Sequence, residues 1–377
     1  MTGGGSGGPS GAEREAAIAL ACLVEPATPG VTEMVAEFGV EEALARVRAK
    51  RPSRQVAGRV DPEDTPALVD QMSRRGVRVL LPGDLEFPSQ LLDLSEPPLA
   101  LWVRGPLDLR VAALRSVAVV GARACTAYGE RATAILAGGL AEQGWAVVSG
   151  GAFGIDAAAH RAALGVGGPT IAVMACGIDI AYPRSHDALF ARIADAGLMI
   201  SELPPGSQPL KHRFLARNRV IAALSRGTVV VEAARRSGAM ATASRALELG
   251  REVMAVPGPI TSMASSGTNR LLHETAARAV SEPSEVTALL LADANNPPAA
   301  EPHAQVGVGS AISDPRLAGL PAEVRAVLEV LPGRGGRTVE VIAERAGLAP
   351  TVCLAHLGLL EIVGLARRGH SGWRRMQ

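Results

Sequence analysis

The residues best suited to chemistry in this 377-residue chain lie between Glu202 and Glu232. The 29 residues between those two acids contain no carboxylate, yet they carry Lys211, Arg213, Arg217, Arg219 and Arg226, with Phe214 and Asn218 among them. Cations that track a polyanion backbone, beside an aromatic face that stacks a base for ~1–3 kcal/mol, make a surface for single-stranded nucleic acid. Asn218 adds an amide that can pair with a base edge or a phosphate. The same composition equally suits a solvated basic helix whose Phe214 turns into the core. Glycine loops offer a second kind of chemistry. In SGGAFGID, Ser149 to Asp156, the glycines let backbone N–H groups approach an anion at a helix start, and Gly121-Ala122-Arg123 adds a cation. Such loops also serve as plain structural turns. Ser237-Gly238-Ala239 with Thr242 reads either as a further phosphate contact or as a helix cap.

Other chemistries lack their partners. No G-x-x-x-x-G-K-[ST] run exists, and Gly121 lacks the G-x-G-x-x-G spacing of a dinucleotide site. Asp156 with His160 and Asp179 with His186 find no third ligand at convincing spacing, so no metal and no cofactor are expected. Ser149 and Cys176 have no identifiable base. Cys22, Cys125, Cys176 and Cys353 form no C-x-x-C pair and read as reduced thiols of a cytoplasmic protein. The apolar run Ala16 to Val24 is too short to span a bilayer, so no membrane partner is expected. With 38 basic against 37 acidic residues, any nucleic-acid surface must come from local clustering.

Positioning these residues requires a scaffold, and the pattern from Arg115 onward supplies one. Brief apolar runs at Val117 to Val120, Ala146 to Ser149, Thr170 to Met174, Leu198 to Ser201, Thr228 to Glu232 and Glu252 to Val256 recur every 24 to 30 residues, with helical segments between them. Parallel strands need such crossovers, which predicts an α/β fold, a Rossmann-like, doubly wound, mostly parallel sheet. Residues 1–11 read as a disordered tail and 12–80 as a small N-terminal helical module, with helices Glu13 to Val24 and Val31 to Ala49, the latter broken at Gly39. Residues 81–114, containing Pro88, Pro97 and Pro98, read as a connection, 115–291 as the core and 292–317 as a linker. Residues 318–377 read as a C-terminal winged-helix-like domain, with helices Ala322 to Leu331, Val339 to Ala346 and Thr351 to Ile362, then a wing from Gly364 to Arg375. The third helix has no Arg, Lys, Asn or Gln for base edges, so sequence-specific duplex reading is not expected.

VAVVGAR, SGGAFGIDAAAH, CGIDIAYPRSH, SELPPG, KHRFLARNRVIAALS, VVVEAARRSGAMATASRALELGREVMAVPG and SSGTN, in this order, resemble the DNA-processing protein A (DprA/Smf) family over roughly residues 86 to 290. The resemblance implies a protein without catalytic activity that binds single-stranded DNA, forms a homodimer and loads a RecA-type recombinase while displacing single-strand-binding protein, in natural transformation or recombination. By motif position it implies that Arg123 and Lys211 hold phosphates, that Ser149, Gly150 and Gly151 line the DNA pocket, and that Phe214 contacts a base or sugar. Arg217, Asn218 and Arg219 would be pocket neighbours. Leu271 and Leu272 are candidate dimer contacts. The alternative is a Rossmann-type nucleotide phosphoribohydrolase, but RRSGAMATAS stands where such enzymes carry PGGxGTxxE and lacks the acid.

Overall fold

A computed structural model describes residues 10–50 and 64–294, and beyond these the positions 324, 327–328, 330–331, 337–346, 348–362, 365–369 and 372–375. The chain divides into two compact units, residues 1–299 and 300–377.

Four helices open the first unit: α1 (Gly11–Leu23), α2 (Val31–Phe38), α3 (Val40–Lys50) and α4 (Thr65–Ser73). Ser10 and Glu13 cap α1 reciprocally, each side chain accepting the other's backbone N–H. Gly39 separates α2 from α3, where the sequence pattern breaks.

Nine strands then form one sheet: β1 (Val77–Leu80), β2 (Leu101–Arg104), β3 (Ser116–Val120), β4 (Ala146–Ser149), β5 (Thr170–Met174), β6 (Leu198–Ser201), β7 (Gly227–Val230), β8 (Glu252–Ala255) and β9 (Arg278–Ala279). Their spatial order is β1-β2-β6-β5-β4-β3-β7-β8-β9. The seven strands from β6 to β9 pair in parallel, while β2 pairs antiparallel with both β1 and β6. The connections run through α5 (Leu109–Leu114), α6 (Ala127–Glu142), α7 (Ile155–Gly165), α8 (Asp187–Ala196), α9 (Lys211–Leu224), α10 (Gly238–Glu248) and α11 (Ser266–Glu274), and α12 (Pro283–Ala294) follows the last strand. Strands covered by helices on both faces read as unbroken apolar runs, and SVAVV shows how the period of two divides them. Ala118 and Val120 enter one core cluster, Val117 and Val119 the cluster on the opposite face.

The observed sheet is wider than the expected core of 115–291. Residues 77–80, read as part of the helical module, and 101–104, read as part of the connection, are β1 and β2. They lie outside the repeating crossovers, beside Gly76 and Pro97-Pro98, and antiparallel ladders fix them, β1 on β2 and β2 on β6. Leu271, a candidate dimer contact, is buried in the core, and Leu272 packs against the same cluster.

In the second unit, α13 (Val339–Ala346) and α14 (Pro350–Ile362) are followed by a hairpin of β10 (Ala366–Gly369) and β11 (Gly372–Arg375). Ile342, Cys353, Leu357, Leu360 and Trp373 share its core. The expected tail 1–11, linker 292–317 and helix Ala322 to Leu331 lie mostly outside the described residues. Among the described residues no helix is long and apolar enough to cross a membrane.

Candidate nucleic-acid interface

Strand β3 has β4 on one side and β7 on the other, so the connections leaving it diverge and open a crevice at the carboxyl ends of the strands. The crevice has a volume of about 930 Å³. Its walls come from Gly121 to Ala124 after β3, Ala152 and Asp156 after β4, Ser237 and Gly238 after β7, and one face of α9.

The loop carrying Arg123 is tied down at both ends. Ala122 donates its N–H to the Glu232 carbonyl at 2.7 Å, and the Ala122 carbonyl accepts from the Ile155 N–H at 3.2 Å. Buried Glu232 accepts the Thr126 N–H at 2.8 Å and the Thr126 hydroxyl at 2.6 Å, while that hydroxyl caps α6 by accepting the Gly129 N–H. Gly154, at φ +74°, passes so close that a Cβ there would lie 2.2 Å from the Ala122 carbonyl oxygen. The loop is therefore rigid, and Arg123 projects from it exposed, its guanidinium carbon 5.3 Å from the centre of the Phe214 ring. Tyr182 lies against the other aromatic neighbour position, 5.6 Å from the Phe214 centroid. Lys211, in the first turn of α9, is exposed on the same crevice.

The rest of the basic run behaves differently. Arg213 is buried and pairs with Glu25 at 2.9 Å. Arg219 is buried against Glu202 at 2.5 Å and does not line the crevice. Arg217 is buried, donating to the carbonyls of Gly150 at 2.7 Å and Val173 at 2.5 Å. Asn218 bridges α9 to α10, accepting from Arg217 Nε and donating to the Gly238 carbonyl, both at 3.2 Å. The run is free of acids in sequence but not in space, because Glu25 and Glu202 are brought to it by folding. Arg219 thus stands as a core ion pair and not as a pocket neighbour.

Ser149, Gly150 and Gly151 lie beneath the crevice with their polar atoms turned into the protein. The Ser149 hydroxyl donates to the Val119 carbonyl at 2.7 Å. The Gly150 N–H donates to Asp156 Oδ2 at 3.2 Å, and its carbonyl holds Arg217. The Gly151 carbonyl accepts from His186 Nδ1–H at 3.1 Å. These residues support the wall instead of reaching a ligand. Tyr182, Leu215 and exposed Met263 line the crevice and were not singled out as site residues from sequence. Tyr182 carries a compositional signal, since the chain has only two tyrosines, whereas Met263 carries none.

The remaining titratable groups are structural. Burial pushes the Cys176 thiol up to about 11, and its Sγ donates to the Ile180 carbonyl, so it is a poor nucleophile. Asp179 Oδ1 accepts the Gly206 N–H. No cluster of three or more His, Cys, Asp or Glu suited to a metal occurs among the described residues. Thr170 donates its hydroxyl to the Val147 carbonyl and therefore accepts from His160 Nδ1–H at 2.8 Å, leaving His160 Nε2 buried without a partner. Burial, with the nearby charge of Arg217, lowers the His160 pKa from 6.5 to about 3. The unfolded chain then binds the extra proton below pH 6.5, so stability falls on acidification. Between pH 7 and pH 5 the loss from this group is expected to be about 2 kcal/mol. Urea denaturation of the wild type and His160→Gln at the two pH values checks it: the variant's stability should change less.

A doubly wound α/β sheet with cations and aromatics gathered at its switch point defines a Rossmann-like protein with a cation-lined crevice. The chain belongs to the DNA recombination-mediator protein A family, whose model matches residues 78–291. It is 42% identical over 376 residues to the putative DNA processing protein DprA of Mycobacterium tuberculosis, covering 94% of this chain and 92% of that one. The X-ray structure of DprA from Streptococcus pneumoniae superposes with a TM-score of 0.60 at 35% identity, over 73% of this chain and 97% of that one. A DprA structure from Helicobacter pylori that describes a single-stranded DNA binding mode matches with a TM-score of 0.52 at 32% identity, over 58% of this chain and 96% of that one.

Proposed function

We propose that this chain is a single-stranded DNA-binding recombination mediator that places a RecA-type recombinase on strands held by single-strand-binding protein, in DNA uptake or recombination. The observation that carries the reading is the constellation of Arg123, Lys211 and Phe214 lining one crevice. Arg123 and Lys211 supply separate charges for successive phosphates, and Phe214 offers a half-buried ring face for a base. The protein acts by binding, without a catalytic step, as a cytoplasmic homodimer. We read residues 318–377 as a winged-helix-like domain; its described hairpin sets exposed Arg367 opposite exposed Arg374, two cations suited to phosphates or to an acidic partner.

Titration of the full chain with fluorescent single-stranded and duplex oligonucleotides, followed by recombinase assembly on strands coated with single-strand-binding protein, tests this. Preference for the single strand and faster assembly are expected; equal binding to both, or no acceleration, refutes the corresponding half of the reading. Tyr182→Leu removes the ring beside Phe214 and is expected to weaken single-strand binding by about 1 kcal/mol, roughly fivefold, in the same titration. It should leave binding to an abasic strand unchanged.

A further inference from the structure

Two backbone N–H groups converge on the floor of the crevice. Gly150 and Ala152 donate to Asp156 Oδ2 at 3.2 and 3.4 Å. They come from the end of β4 and from the entry to α7, where an open α/β sheet usually takes a ligand phosphate. Here the second residue of α7 folds its own carboxylate back onto them. Asp156 is 6% exposed and lines the crevice. A phosphate oxygen cannot reach the two N–H groups without displacing it. The glycine positions hold the arrangement in place: a Cβ at Gly150 would lie 2.1 Å from the Arg217 guanidinium. That guanidinium sits under the loop and offsets the buried carboxylate, whose pKa burial raises while Arg217 and the amides oppose the rise.

We propose that Asp156 is a built-in anion that fills the phosphate niche of the crevice, making it the residue that discriminates a DNA strand from free phosphate and mononucleotides. The proposal rests on the single-strand reading above. A ligand phosphate is held off the floor and meets the exposed cations Arg123 and Lys211. One phosphate there gains little, whereas a strand that offers several gains at each. Inorganic phosphate and nucleoside monophosphates are therefore rejected even though the crevice is large enough to admit them.

The test uses the full chain bound to a labelled oligothymidylate, displaced by inorganic phosphate or by chloride at matched ionic strength. For the wild type the two displacement curves should coincide. For Asp156→Ala, phosphate should displace at an about tenfold lower concentration than matched chloride, a gain of specific affinity. Asp156→Ser, which keeps one acceptor for the N–H groups, is the second variant should alanine not fold. The phosphorus-31 line width of inorganic phosphate reads the niche without DNA and should broaden with either variant only. Phosphate-specific displacement from the wild type overturns the proposal, as does a folded variant with coincident curves and a sharp phosphorus line. A wild type that fails to bind the oligonucleotide overturns the single-strand reading instead, and the phosphorus measurement still decides the niche.

Discussion

Alanine at both Arg123 and Lys211 is expected to lower single-stranded DNA affinity by at least about a hundredfold while leaving the melting temperature within error of the wild type. A hydrogen bond to a charged group is worth ≈ 1.5–3 kcal/mol, so each cation accounts for roughly tenfold or more. Stability should hold because neither residue supports the fold. Arg123 is exposed, with its guanidinium over the Phe214 ring, and Lys211 is exposed at the start of α9. The rigidity of the Arg123 loop comes from Glu232, Thr126 and Gly154, which the double variant leaves in place. Anisotropy titration alongside thermal denaturation checks both halves of the expectation.

The second large effect runs the opposite way. Arg219→Ala should cost about 3–5 kcal/mol of stability, because it removes one member of a buried ion pair and strands the other. The Arg219 and Glu202 side chains are 9% and 12% exposed. Burial already pushes Glu202 up to about 7 despite the attraction and hydrogen bond of Arg219. With each kcal/mol worth about 1.5 °C in a unit of about 300 residues, the melting temperature should drop by roughly 5–8 °C. Replacing both partners, Arg219→Met with Glu202→Leu, should recover most of the loss, since apolar groups of similar size leave no buried charge behind. Single-strand affinity measured well below the melting temperature should be unchanged in either variant. Differential scanning calorimetry separates this outcome from a role in DNA contact.

These two expectations differ although the resemblance implied that Arg219 neighbours the pocket in which Arg123 and Lys211 hold phosphates, and the reason is geometric. A run of cations tells which residues share a helix; it does not tell which of its faces meets solvent, or which acids return from elsewhere in the chain. Glu25 reaches Arg213 across 188 positions, and Glu202, just past the end of β6, reaches Arg219 across 17. Lys211 and Phe214 fell on the crevice face, Arg219 on the core face, and a helix with cations all round gave no periodicity to separate them. The central strands were legible because burial on both faces makes unbroken apolar runs: β4, β5 and β6 begin and end where the pattern places them. Strands β1, β2 and β9 were not: β9 is two exposed residues, and β1 and β2 precede the repeating crossovers and owe their conformation to antiparallel neighbours. Glycine spacing located the loop of Gly150 and Gly151 correctly at a strand end, but it could not reveal that Asp156, four residues beyond Ala152, already accepts from the loop's N–H groups.

The most direct test of the crevice as a single-strand site is the salt dependence of binding by the wild type and by the Arg123→Ala, Lys211→Ala double variant. Each phosphate contact on a single strand contributes ≈ −0.7 to the slope of log affinity against log salt. Loss of these two contacts should make the slope shallower by about 1.4, with the folded state intact. An unchanged slope and affinity in a folded double variant would contradict the assignment of the strand to this crevice.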